Sequence, residues 1–225
     1  MSYNVTYLTV VNNVLKRLRE GTVSSIDNDE YTSLIGMLVN DAKEEVENSW
    51  DWSTFRTTID LTFAEDEDAK EIDGSLDNFT ILHVYNDTDN NHMREITGKQ
   101  LNSYKFGQDN PPKGVPDAYA FNRMGSDGLS SDGDSILNIF PIPSKSTVIK
   151  VQLVIRPTDL VNIGDTLKVP SRPVELLAYA KAIEERGEDG GVSSASAYAV
   201  AQKSLQDAIA FDAAKHPEET IFYVV

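Results

Sequence analysis

The stretch TVIKVQLVIRP at 147–157 decides the fold. Ile149, Val151, Leu153 and Ile155 alternate with Val148, Lys150, Gln152 and Val154, so one face is wholly apolar while the other carries a lysine and a glutamine. A period of two with one dry face is the pattern of a strand lying on a core. Upstream, Ile59, Leu61 and Phe63 alternate with Thr58, Asp60 and Thr62, and FTILHVYN at 79–86 is strongly β-prone. DAYAFNRM and ILNIFPIP read as two more strands, separated by the turn-forming run GSDGLSSDGDS. Prolines 111, 112 and 116 mark a rigid connection, and a short helix is expected within 93–104, interrupted by Gly98.

On both sides of this β-rich stretch the apolar period changes from two to about three and a half. Leu8, Val11, Leu15 and Leu18 stripe a helix over 7–20, with Gly21 as its stop and Lys16, Arg17 and Arg19 at its negative end. Those cations read as helix-end solvation, with contact to an acidic partner as the alternative. Asp27 and Glu30 form a capping-box spacing ahead of Leu34, Leu38, Ala42 and Val46, which predicts a second helix over 28–49. Trp50 and Trp52 follow at its exit as packing residues expected to lock the helical layer onto the following sheet, or as partner anchors. After Pro170, Ser171 is a cap candidate and Pro173 suits a first turn. Leu176, Leu177, Ala180 and Ile183 supply the buried side, and Gly187 ends that helix. An alanine-rich helix with Tyr198, Ala201, Leu205, Ala208 and Ile209 completes the set.

The expected fold class is therefore α+β: a discontinuous bundle of about four helices, from 7–50 and 171–212, around a central β-rich insertion over 56–160. An extended C-terminal tail follows at 213–225. Neither helix pair has enough partners to cover its own apolar face, so the two ends of the chain are expected to pack together.

Composition narrows the function. The 225 residues include 36 acids and 20 bases, a net charge of −16, which disfavours ordinary binding to a nucleic-acid backbone. Forty per cent of residues are hydrophobic, which fits a folded core, and no apolar run is long enough to cross a membrane as a helix. The opening MSYNVTYLTVVNN lacks a basic region ahead of its apolar residues and is expected to be mature chain rather than signal peptide. There is no cysteine, which removes disulfides, thiolate nucleophiles and cysteine zinc sites.

Chemical motifs are sparse. The dinucleotide fingerprint, the phosphate loop, HExxH and the nucleophile elbow are all absent. His83, His92 and His216 share no short ligand spacing, so no metal and no cofactor are expected. The segment EDEDAKEIDG at 65–74, which contains Glu65, Asp66, Glu67 and Asp68, reads as a solvated hairpin or loop, or as an acidic channel surface. Its spacing does not reproduce a calcium loop. Glu65 with Asp68, and Asp132 with Asp134, are acidic pairs without the opposed geometry and cleft that glycoside chemistry requires. No catalytic residue is assigned. The final EETIFYVV instead places Ile221, Phe222, Tyr223, Val224 and Val225 beyond Pro217, as a segment either tucked into its own core or received by a partner.

The order of these pieces resembles the head-to-tail adaptor family of short-tailed bacteriophages, also called tail tubular protein A or head-completion proteins. The resemblance rests on VVNNVLKRLRE at 10–20, EEVENSWDWSTFR at 44–56 and IDLTF at 59–63. It continues through GVPDAYAFNRM, ILNIFPIP, KVQLVIRPTDL and LKVPSRPVELLAYAKA, and covers roughly 7–212. It implies a non-enzymatic virion protein at the neck, forming a ring of twelve subunits between the portal and the tail tube or nozzle. Double-stranded DNA would pass through the ring without sequence-specific binding, and no membrane would be involved. The resemblance also implies that Ile221–Val225 contact the portal or a neighbouring subunit. A tail terminator or other neck protein, often a six-membered ring, is the runner-up. A metal-dependent hydrolase using the acidic loops and a monomeric β-rich binding module are the readings from other classes.

Overall fold

Thr6 opens the first helix: its hydroxyl oxygen accepts the Thr9 N–H at the N-cap of α1 (Tyr7–Arg17). Tyr7, Val10, Val11, Val14 and Leu15 form its buried stripe. The helix ends earlier than the glycine at 21 suggests. Leu18 is the C-cap and Arg19 turns left-handed at φ 63°. The Arg19 and Glu20 N–H groups then donate back to the Lys16 and Leu15 carbonyls at 3.1 and 2.9 Å. This is a Schellman stop with arginine in the place glycine usually takes. The chain is drawn back before Gly21 because the Asn12 amide holds both the N–H and the C=O of Val23, at 2.8 and 3.0 Å.

The second helix starts later than expected. A 3₁₀ turn at Ile26–Asn28 buries Ile26, and Asp29 rather than Asp27 caps α2 (Glu30–Asn48), accepting the Thr32 N–H at 2.7 Å. Gly36 lies where α2 approaches the first helix. A Cβ there would stand 2.7 Å from both the Ile26 Cγ2 and the Tyr7 hydroxyl. At the other end Trp52 is 1% exposed and its indole N–H donates to the Val46 carbonyl at 2.8 Å, so it folds back on its own helix. Trp50 is half-buried.

A computed structural model describes residues 3–72, 79–106, 110–122, 135–187 and 192–215. The chain divides into two units, one of Met1–Phe55 with Pro157–Val225 and the other of Arg56–Arg156. The first unit contains α1, α2, α4 (Ser171–Arg186) and α5 (Val192–Ala213), the number α3 being kept for a helix of the second unit. Helix α4 packs against all three of the others. Its residue before the first turn is Pro170, which makes no side-chain cap; Ser171 is inside the helix and buried, not its cap. Gly187, at φ 62°, ends it as expected, with its N–H shared between the Ile183 and Glu184 carbonyls.

Four charged side chains are buried among the described residues of this unit, each with partners. Lys43 and Glu47, 2% and 3% exposed, pair at 2.9 Å, and Lys43 also donates to the Pro157 carbonyl at 3.2 Å. Asp212 accepts the Ser53 N–H and hydroxyl at 2.9 and 2.7 Å and pairs with Lys215 at 3.2 Å. Glu175 accepts from Asn13 at 3.0 Å.

The second unit is built on two four-stranded sheets. The strands of the first are β1 (Arg56–Phe63), β3 (Phe79–Asn86), β4 (Asn91–His92) and β10 (Thr147–Ile155), in the order β1-β10-β3-β4 and antiparallel throughout. The fold-deciding strand is thus central, and among the described residues β1 is paired on one side only. The second sheet comprises β2 (Ala69–Glu71), β5 (Arg94–Glu95), β7 (Ala118–Asn122) and β8 (Ile136–Phe140), in the order β2-β8-β7-β5. A parallel pair, β6 (Lys113–Gly114) with β9 (Ile142–Pro143), is separate. Phe63, Val84, Ile149, Val151 and Leu153 from one sheet meet Tyr119, Leu137 and Ile139 from the other in a single buried cluster, closed by Ile72 and Met93.

Helix α3 (Gly98–Phe106) begins where the sequence reading had Gly98 interrupt a helix. Thr97 and Gln100 form a reciprocal capping box, in which each side chain accepts the other's backbone N–H, at 3.2 and 3.1 Å. That box makes Gly98 the first helical residue.

Two outcomes follow for the helical unit. Gly36→Ala gains about 1 kcal/mol of helix propensity but overfills a buried contact, a cost of about 1–3 kcal/mol. Net destabilisation in urea unfolding is expected, and a more stable variant would show that the Tyr7–Ile26 contact is loose. Burial of Asp212 opposes ionisation, but the Ser53 donors and the Lys215 ammonium outweigh it and hold the carboxyl below its ordinary range. A depressed folded pKa contributes stability that is present above the unfolded carboxylate value and lost as pH falls through the folded one. Asp212→Ala should therefore cost about 2–3 kcal/mol at neutral pH, with the gap to wild type closing below about pH 4. A gap that stays constant down to pH 3 would refute the assignment.

Candidate functional site

Of the hairpin or loop expected for the acidic run, the described residues form a loop that turns a corner between two sheets. Strand β1 belongs to the first sheet and β2 pairs with β8 in the second, so residues 64–68 carry the chain across. Asp66 takes the left-handed conformation at φ 68°. Its N–H donates to the Pro143 carbonyl at 3.0 Å, and the Asp68 carbonyl accepts from Ile139 at 2.9 Å, so the backbone of the corner is bonded on both sides.

The side chains complete it. Glu67 reaches back to accept the Ala64 N–H at 2.8 Å and pairs with Lys70 at 3.3 Å. Asp68 pairs with Lys105 of α3 at 2.6 Å, and Asp66 with Lys113 of β6 at 2.5 Å. Glu65 is exposed. Three lysines from separate segments thus converge on a turn whose sequence neighbourhood is heavily negative. The sequence reading of a merely solvated surface missed this, because Lys105 and Lys113 lie far along the chain. Beside the corner, Ile59, Leu61, Thr62, Glu67, Lys70 and Glu71 line a surface groove of about 540 Å³.

The remaining sequence-derived candidates fall elsewhere. Trp52 is a packing residue of the helical unit. Arg17 pairs with the largely buried Glu175 at 3.7 Å, which gives this cation of the first helix end an internal partner. Ile221, Phe222, Tyr223, Val224 and Val225 lie outside the described residues, as do Asp132, Asp134 and His216. On the helical unit, Arg172, Leu176, Val200, Lys203, Ser204 and Asp207 line a second groove of about 510 Å³. Val200 and Phe211 stand outward on α5, each more than half exposed.

One juxtaposition escaped the sequence reading. His83 Nε2 and His92 Nδ1 lie 3.0 Å apart on the outer face of the first sheet, beside Tyr85. The two histidines are brought together by the pairing of β3 with β4, in which Tyr85 stands opposite His92. The turn-rich run at 86–91 between two possible strands was the signal that would have found them. Among the described residues, no group of three or more His, Asp or Glu side chains is arranged to hold a metal ion.

The corner's role in holding the fold is measurable. A double-mutant cycle on Asp68→Asn and Lys105→Met should give a coupling of about 1 kcal/mol, while Glu65→Ser should change stability by less than about 0.5 kcal/mol. Coupling indistinguishable from zero would reduce the corner to a solvated loop.

Comparison with known proteins gave no assignment: no family model and no curated protein matches the chain.

Proposed function

We propose that this chain is a structural virion protein of a short-tailed bacteriophage, a ring adaptor at the neck between the portal of the DNA-filled head and the tail tube or nozzle. Twelve copies surround a channel through which double-stranded DNA passes without being read. The observation that carries this reading is the order helix, sheet, helix. One helical unit is assembled from both ends of the chain, with a two-sheet unit inserted between, in the same order as the motifs of the resemblance. The role is architectural rather than catalytic.

Charge supports it. A protein at −16 offers phosphates no counterion replacement, so a surface of this sign around a channel lets DNA slide instead of adhering. Exposed Val200 and Phe211 on α5 give the helical unit apolar side chains suited to contact between subunits. The terminal Ile221–Val225 segment is assigned to the portal or to a neighbouring subunit, as an apolar and aromatic anchor.

The deciding measurement is the symmetry of this chain in portal-containing heads, obtained by mixing purified chain with heads and imaging the neck. Twelvefold density immediately below the portal is expected. A six-membered ring at the tail side would replace the adaptor reading with a tail terminator. Failure to join heads, together with a divalent-metal-dependent hydrolase activity, would move the protein to another class.

A further inference from the structure

We propose that His83 and His92 form a two-histidine site for a borderline transition-metal ion, Cu²⁺ or Ni²⁺ ahead of Zn²⁺, on the outer face of the first sheet. The proposal does not depend on the ring reading, because both ligands sit within one sheet of one chain.

The geometry begins with the strand pairing. His83 and Tyr85 alternate along β3 and share a face, and the register sets Tyr85 opposite His92 on β4. His83 is therefore the diagonal neighbour of His92, within reach of a long side chain. The ring centroids are 5.0 Å apart with planes at 55°, and the facing nitrogens are separated by 3.0 Å. Both residues are exposed, so an ion reaches them from solvent. Tyr85 packs edge-on against His92 with centroids 5.1 Å apart, and its hydroxyl is held by Asn90 at 3.0 Å, which braces the His92 ring.

A separation kept near 3.0 Å as the rings turn would favour a tetragonal ion. Two imidazole nitrogens at about 2.05 Å from one ion and 3.0 Å from each other subtend about 94°. Tetrahedral zinc prefers a wider angle, whereas adjacent ligands of a tetragonal Cu²⁺ or Ni²⁺ ion stand near 90°. The general affinity order of divalent ions points the same way. The ring that now donates the proton between the two nitrogens must move it to its other nitrogen, and each ring must turn so that both lone pairs face the ion.

Neighbouring charge does not forbid a cation. Lys150 stands opposite Tyr85, but its ammonium is paired with Asp87 at 2.9 Å, and Asp60 lies opposite it on β1. Among the described residues no third His, Asp or Glu side chain joins the pair, so water would fill the other positions and the ion would exchange readily. Chelation across β3 and β4 would also fasten the turn between them.

The test uses the full chain titrated with Cu²⁺ and Ni²⁺, with Cu²⁺ followed by electron paramagnetic resonance. Wild type should bind one ion per chain with two nitrogen ligands resolved, and should melt at a higher temperature as metal is added. His83→Ala and His92→Ala should each weaken binding at least tenfold, lose one nitrogen from the spectrum and abolish the metal-dependent rise. His216→Ala should behave as wild type. Circular dichroism of the metal-free variants checks that the fold is kept, and His83→Gln with His92→Gln provides a second, less perturbing pair. Wild-type affinity in the variant carrying both His83→Ala and His92→Ala, or in the one carrying both His83→Gln and His92→Gln, would overturn the proposal.

Discussion

The burial of α4 is the constraint on which the rest of the helical unit depends. Val174, Leu176, Leu177, Ala178, Ala180 and Ala182 are all buried, along with Pro173 and even Glu175. A helix apolar on so many sides needs neighbours all round, and α1, α2 and α5 supply them. Because α1 and α2 come from the other end of the sequence, the chain must close a loop of the insertion's length before this core exists. The entropy of that closure grows only logarithmically with length. An insertion of about a hundred residues therefore costs little more than a short one, and less still because the inserted unit has its own two-sheet core.

The buried ions are placed where that closure happens. Lys43 holds the Pro157 carbonyl, the first residue after the insertion, and Asp212 holds Ser53, two residues before the last one ahead of it. Ionic groups this deeply buried are a poor source of net stability, since desolvation opposes their attraction. Their geometric demand is stricter than that of an apolar contact, and losing one partner from a pair buried on both sides, as Lys43 and Glu47 are, costs about 3–5 kcal/mol. They fix where the chain leaves and re-enters the helical unit, which hydrophobic burial alone specifies loosely.

Element type was legible wherever a period ran long enough. The strand at 147–155 and the helices around 30–48 and 171–186 followed from apolar spacing alone. Their ends were not, because local side-chain bonds decided them. Asn12 pulled the first helix short of Gly21, Ile26 forced a 3₁₀ turn ahead of Asp29, and the Thr97–Gln100 box converted Gly98 from a breaker into a start. Long-range partners were the least legible. Nothing local to EDEDAKEIDG reveals that Lys105 and Lys113 return to it, whereas the pairing that joins His83 to His92 was signalled only by the turn-rich run between them.

The side of β1 that has no partner among the described residues has a consequence wherever two copies of the chain meet. An open strand edge is a template for another chain, and two such edges would align at about 4.8 Å. At that spacing the charges on Asp60 and on the acidic corner of each copy would stand well inside a physiological screening length of about 8 Å. Solvent ions would hide little of their repulsion. The lysines at the corner are already committed to carboxylates of their own chain and have little positive charge left to offer a neighbour. The acids that read as surface decoration thus also oppose the pairing of two copies through this edge.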